Sequence, residues 1–209
     1  MKYLFLFSLL CLMACASDTV QKQQSPDSNT QPSPRQVVAK DTVKPKQDYI
    51  IIENPRPKSE IKAEFPFDIE LKTAKGELIR SDELLAKGGQ PTVLLFWLTT
   101  CYPCRLELAA IEKEFDQWQS ETNFQLVAIS TDFQKRYPDF VKRVNESNWP
   151  WESYNDHKRE FRYILPGNLN GLPQVFVFNG LGEITYQKRR YESGDEQLLY
   201  EAIKQAAKS

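Results

Sequence analysis

Hydrophobic positions along this chain of 209 residues fall into three regimes. Tyr3 to Ala14 is an apolar run interrupted only by Ser8, and residues 16 to about 60 are polar and proline-rich. From about 61 onward, short apolar runs alternate with amphipathic stretches. Phe67–Leu71 alternates apolar and charged residues, and Gly76 separates it from Glu77–Arg80, so the two predict a β-hairpin. Ser81 and Asp82 open a short helix through Leu84 and Leu85, closed by Gly88 and Gly89. Thr92–Trp97 and Phe124–Ser130 are continuous runs of β-formers, the pattern of strands buried on both faces. Between them the stripe Leu108, Ile111, Phe115 and Trp118 has helical spacing, which predicts a helix from Pro103 to Gln119. A second amphipathic helix is expected over Phe133–Val144, and Trp149–Asn170 reads as irregular. Val175–Phe178 and Ile184–Tyr186 flank the turn sequence Asn179-Gly180-Leu181-Gly182, and a last helix spans Asp195–Ala207. The order ββαβαβα followed by ββα predicts an α/β fold, a mixed central sheet flanked by helices.

Composition narrows the function classes. Lys and Arg number 27 against 28 Asp and Glu, a formal charge of −1, which argues against nucleic acid as the main partner. A hydrophobic fraction of 41% is sufficient for a packed core. The mean hydropathy of −0.54 excludes a multi-span membrane protein.

The first regime is too short for a bilayer span, which needs roughly 20 apolar residues. It fits the hydrophobic region of a signal peptide over residues 1–14. Its end, Leu12-Met13-Ala14-Cys15, resembles a bacterial lipobox, in which Cys15 would be lipidated and become the mature N-terminus. Acyl chains on that cysteine would supply the multiple anchors that stable membrane attachment requires. Residues 15–60 then read as a disordered polar tether, with Tyr49-Ile50-Ile51-Ile52 as its one apolar cluster. The domain itself is expected over 61–209.

The chemistry-bearing motif is Cys101-Tyr102-Pro103-Cys104, at the exit of the first buried strand. A structural zinc site needs four ligands, and neither a second pair in the mature chain nor the single histidine, His157, completes the set. A redox pair needs only two cysteines at a strand-to-helix junction. There the unpaired N–H groups of the first turn favour a thiolate on Cys101. Pro103 needs no N–H donor in that turn. Glu107, three residues beyond Cys104, stands on the same side of the helix. It is either the group that takes the proton of Cys104 or a solvated first-turn glutamate.

Together, Leu94-Leu95-Phe96-Trp97, Cys101-Tyr102-Pro103-Cys104-Arg105-Leu106-Glu107 and Gly171-Leu172-Pro173-Gln174-Val175-Phe176-Val177-Phe178 resemble the thioredoxin-like fold. More narrowly they are similar to the TlpA/ResA-like thiol–disulfide oxidoreductases of the bacterial envelope, over roughly residues 65–207. The resemblance implies a hairpin extension on the N-terminal side of the fold. It also implies a redox-active disulfide Cys101–Cys104, with Cys101 as nucleophile, Cys104 as resolving thiol and Glu107 as acid/base. Pro173 is implied to be cis, facing the pair, and Leu172, Tyr102 and Pro103 are expected beside it at the substrate-binding surface. Three positions depart from relatives. Thr100 replaces a common Trp, Leu95 stands where cytoplasmic thioredoxins bury an Asp, and Leu165–Asn170 is an unusual approach to the proline.

The expected function is reduction of disulfides in exported proteins by a monomeric, lipid-anchored enzyme facing the periplasm. It would need no cofactor and would be recharged by a membrane electron donor. Thiol peroxidase is the rival enzyme, although Leu98 occupies the place where such sites carry Thr. A non-catalytic metal chaperone or partner-binding lipoprotein is the rival of a different class. His157 is expected at the surface. Trp149 and Trp151 are read either as an exposed grip or as core, and Lys188-Arg189-Arg190 as a solvated strand end.

Overall fold

The structure is a computed structural model that describes residues 61–85 and 89–209. The expected signal peptide, Cys15, the expected tether with Tyr49–Ile52, and Gly88 lie outside the described residues. All of the described residues fall within the unit Ile50–Ser209.

Seven strands form one mixed sheet. In chain order they are β1 (Glu70–Lys72), β2 (Leu78–Arg80), β3 (Thr92–Trp97), β4 (Gln125–Ser130), β5 (Glu152–Asn155), β6 (Gln174–Phe178) and β7 (Ile184–Arg189). Their spatial order is β2-β1-β5-β4-β3-β6-β7. The neighbours β3, β4 and β5 are parallel, and every other pairing is antiparallel. The helices are α1 (Ser81–Leu85), α2 (Tyr102–Thr122), α3 (Tyr137–Ser147) and α4 (Asp195–Ala206), with 3₁₀ turns at Gln134–Arg136, Phe161–Tyr163 and Pro166–Leu169.

Alternation along the central strand explains the layering. Val93, Leu95 and Trp97 of β3 point to one face, where Leu108, Ile111 and Trp118 of α2, Phe140 of α3 and Ile203 of α4 cover them. Leu94 and Phe96 point to the other face and meet Phe67, Phe161, Phe176 and Leu84. The apolar run over 92–97 was therefore read correctly as buried on both sides. So was the stripe of α2, whose four residues are all out of water. Asn123 ends α2 in the left-handed conformation, φ 45°, and Asn148 ends α3 at φ 48°, both common helix stops.

The region 149–170 departs from expectation. It contains a strand, β5, that pairs in parallel with β4 and touches β1 through Lys72 and Asn155. Glu152-Ser153-Tyr154-Asn155 has no apolar run to announce it; the pairing and the burial of Tyr154 and Asn155 hold it in place. Through this strand the hairpin β1–β2 becomes an extension of the main sheet. Trp149 and Trp151 belong to the core: their rings stack with centroids 5.8 Å apart, and Trp149 meets Trp97 edge-on at 5.4 Å.

Candidate active site

The site grows from the end of β3. Cys101 is the N-cap of α2, with φ −83° and ψ 106°, and its sulfur accepts a hydrogen bond from the backbone N–H of Cys104 at 3.2 Å. Pro103 sits in the first turn, where its missing N–H leaves no gap. Cys101 and Cys104 form a disulfide with their Cα atoms 5.3 Å apart. The two sulfurs differ in environment, because Cys101 is half-buried while Cys104 is fully buried in the core under α2. Tyr102, at the mouth, is 61% exposed.

A brace on the neighbouring strand fixes the loop that delivers Cys101. Asp132, fully buried just past β4, accepts from the N–H of Thr99 at 2.8 Å and from its hydroxyl at 3.0 Å. The Ser130 hydroxyl donates to the same carboxylate at 2.8 Å, and the Asn155 amide donates to the Asp132 carbonyl at 3.2 Å. A buried carboxylate saturated in this way fixes the geometry of the residues it holds. Sequence reasoning did not find Asp132. The available signal was a charged residue directly after a buried strand, but its partner lies 33 positions away.

The Leu172–Pro173 bond is cis and Pro173 is buried. The register pairs Gln174 with Phe96, so Pro173 lies at the same end of the sheet as the cysteines. The Pro173 carbonyl accepts from the N–H of Arg190 at 2.7 Å. Leu172 packs against the buried clusters on both faces of the sheet, and Cys101 against the one beneath α2. Thus Cys101, Cys104, Leu172 and Pro173 converge at one end of the sheet, with Tyr102 and Pro103 exposed beside them.

Glu107 is not solvated. It is 4% exposed, one of its carboxylate oxygens has no hydrogen-bond partner, and burial pushes its pKa up to about 8. Asp195 adds to the rise, Lys188 opposes it, and Glu196 adds a little more. Leu95 is wholly buried, so the position at which cytoplasmic thioredoxins bury a carboxylate holds only hydrocarbon here. Thr100 is exposed and lines, with Thr99, Arg136 and Lys142, a cavity of about 250 Å³ beside the loop.

Two surface readings need correction. His157 is half-buried and not freely exposed: its side chain is 17% exposed, with Nε2 3.5 Å from Glu70 on β1, and burial lowers its pKa. Lys188 is not simply solvated either, since β7 continues to Arg189 and Lys188 pairs with Asp195 at 3.2 Å.

A disulfide with one sulfur at the mouth and the other sealed beneath it, carried on a thioredoxin-like sheet, defines the class of thiol–disulfide oxidoreductases. The chain belongs to the AhpC/TSA family, whose model matches residues 61–187, and within it is TlpA/ResA-like. It is 30% identical over 124 residues to sporulation thiol-disulfide oxidoreductase A of Bacillus subtilis, covering 56% of this chain and 68% of that protein. Among solved structures, an uncharacterized thioredoxin-like protein from Porphyromonas gingivalis superposes with a TM-score of 0.58 at 28% identity, covering 68% of this chain and 90% of that one. A putative thiol:disulfide interchange protein DsbE from Chlorobium tepidum shares the fold, with a TM-score of 0.56 at 22% identity over 67% of this chain and 93% of that one.

Proposed function

We propose that this protein reduces disulfides in exported proteins while anchored by lipid in the bacterial envelope. The observation that carries the reading is the asymmetry of the pair: Cys101 caps a helix and is half-exposed, whereas Cys104 is sealed above a buried carboxyl of raised proton affinity. In the reduced chain, the Cys101 thiolate is stabilised by the N-terminal turn of α2 and attacks one sulfur of a substrate disulfide. The substrate's other sulfur leaves as a thiolate and takes up a proton. A mixed disulfide joins Cys101 to the substrate. Glu107, when ionised, accepts the proton of Cys104, whose thiolate then attacks the Cys101 sulfur. The substrate's second sulfur leaves and is protonated, and the chain is left with its own disulfide. Two electrons have passed to the substrate. In an oxidising compartment the pair must be recharged by a dithiol donor, which we place in the membrane.

The backbone around Pro173 and the side chains of Leu172, Tyr102 and Pro103 form the surface on which substrate lies. The apolar run Tyr3–Ala14 ahead of Cys15 supports the anchored placement, and residues 15–60 provide the reach from the membrane to the domain over 61–209.

The test is reductase turnover by the soluble domain, together with a Cys104→Ser variant. Turnover by the wild type, and a stable mixed disulfide through Cys101 in the variant, are expected. No turnover and no trapped species would overturn the assignment. Incorporation of labelled fatty acid that is lost in Cys15→Ser tests the anchor separately.

A further inference from the structure

The charge of the whole chain is nearly balanced, but charge is not evenly spread around the disulfide. The sheet directions bring one set of segments to the cysteine end: the residues after β3, after β4 and after β5, those before β6, and those at the end of β7. Five of the arginines in these segments and in the first turns of α2 are Arg105, Arg136, Arg159, Arg162 and Arg189. All are exposed except Arg159, which is half-buried. The carboxylates of the same region are mostly inside: Asp132, Asp156 and Glu160 are fully buried. Asp132 and Asp156 spend their oxygens on backbone N–H groups of Thr99, Glu160 and Phe161. Exposed carboxylates here are Asp139, held by Arg136 at 3.2 Å, Glu146, held by Lys142 at 3.9 Å, and Glu192.

Three of these guanidinium groups are held over aromatic faces. Arg159 lies 4.3 Å from the centroid of the exposed Phe133, Arg105 5.4 Å from Tyr102, and Arg162 5.5 Å from Tyr163. A guanidinium held over a ring keeps its charge and terminal N–H donors, which can bond a carboxylate. Arg159 holds its place at the cost of a left-handed backbone, φ 55°, and its buried Nε has no partner among the described residues.

We propose that this arginine–aromatic rim is a docking surface for acidic polypeptide segments, so that the preferred partners carry Asp and Glu near the disulfide to be exchanged. This rests on the thiol–disulfide exchange proposed above and adds a substrate class to it. Opposite charge would raise the encounter rate and orient the incoming chain, while exposed arginines would repel basic segments.

The experiment compares two disulfide-bridged peptides that differ only in flanking residues, Asp/Glu in one and Lys in the other, alongside a small neutral disulfide. With the reduced full chain at low ionic strength, kcat/KM is expected to favour the acidic peptide by about tenfold, shrinking toward parity at about 0.5 M salt. The ratio should fall in Arg159→Gln and Arg162→Gln, measured within each variant so that a general loss of activity does not mimic it. Equal rates for both peptides in the wild type at low salt, with the neutral disulfide still reduced, would overturn the rim and leave the exchange chemistry standing. Reaction with none of the three disulfides would overturn both. Sedimentation of the Cys15→Ser chain with phosphatidylglycerol vesicles, lost in Arg159→Gln and Arg162→Gln and without any preference between the peptides, would assign the rim to a lipid surface and overturn the proposal.

Discussion

Cys104 and Glu107 stand three residues apart on the buried side of α2, the sulfur fully enclosed and the carboxyl 4% exposed. The sulfur that must become a nucleophile from within the core is therefore followed, less than one turn later, by a carboxyl whose proton affinity burial has raised into the neutral range. Because neither group has ready access to bulk water, the proton of Cys104 needs a local acceptor.

Replacing Glu107 by Gln is expected to slow resolution of the mixed disulfide by roughly 10²-fold while leaving its formation at Cys101 nearly unchanged. Single-turnover kinetics with a chromogenic disulfide separate the two steps. Equal slowing of both would remove Glu107 from the second step.

The same carboxyl ties stability to pH. Its pKa moves from 4.5 to about 8, so between those values the folded chain holds a proton that the unfolded chain has released. Folding stability therefore falls as pH rises through this window, by on the order of 4–5 kcal/mol at about 1.4 kcal/mol per pH unit. Asp156, pushed up to about 7 mainly by burial, acts with the same sign. Denaturant unfolding of the oxidised protein at pH 5 and pH 8.5 should show the decline, and Glu107→Gln should lose the Glu107 part of it while keeping the part due to Asp156. Parallel curves for the two proteins would contradict the assignment.

Exposure predicts which thiol reacts. In the reduced protein, iodoacetamide should modify Cys101 at least roughly tenfold faster than Cys104, since only the first is both reachable and placed at a helix N-terminus. Peptide mass mapping after brief labelling reads the order directly.

The brace at Asp132 has a cost when cut. Asp132→Ala leaves the partly buried N–H of Thr99 and the buried Ser130 hydroxyl without their acceptor and should destabilise the fold by about 2–4 kcal/mol. Asp132→Asn keeps one acceptor oxygen and should lose about half as much. Urea melts of both variants, with the exchange rate measured beside them, decide whether stability and the placement of Cys101 fall together.

A different constraint lies at the far end of β6. A methyl group added at Gly180 would stand 2.1 Å from the carbonyl oxygen of Gly89, a backbone atom that cannot swing aside. Gly180→Ala should destabilise by roughly 1–3 kcal/mol, visible as a lowered Tm with the redox chemistry intact.

Most of the fold was legible because its central elements are fixed by local patterns. The runs at 92–97 and 124–130 and the stripe of α2 supply the centre of the core. The cysteine motif was equally plain, since its place at a strand exit follows from the same runs. Glu107 was legible only in part: spacing put it on the right face of the helix, but the charges that bear on it, Lys188 of β7 and Asp195 and Glu196 of α4, come 81 to 89 residues later. What escaped is held by partners distant in sequence. β5 exists because β4 and β1 offer it edges, Asp132 because Thr99 and Asn155 need it, and the inward place of His157 because Glu70 lies on the neighbouring hairpin.

Burial of Cys104 has one more implication. Under the proposed chemistry, electrons leave and enter through the same solitary doorway at Cys101, so donor and acceptor proteins must take turns there. Turnover then follows a ping-pong course in which a surplus of either visitor blocks the other, and the balance between the two concentrations sets the flux.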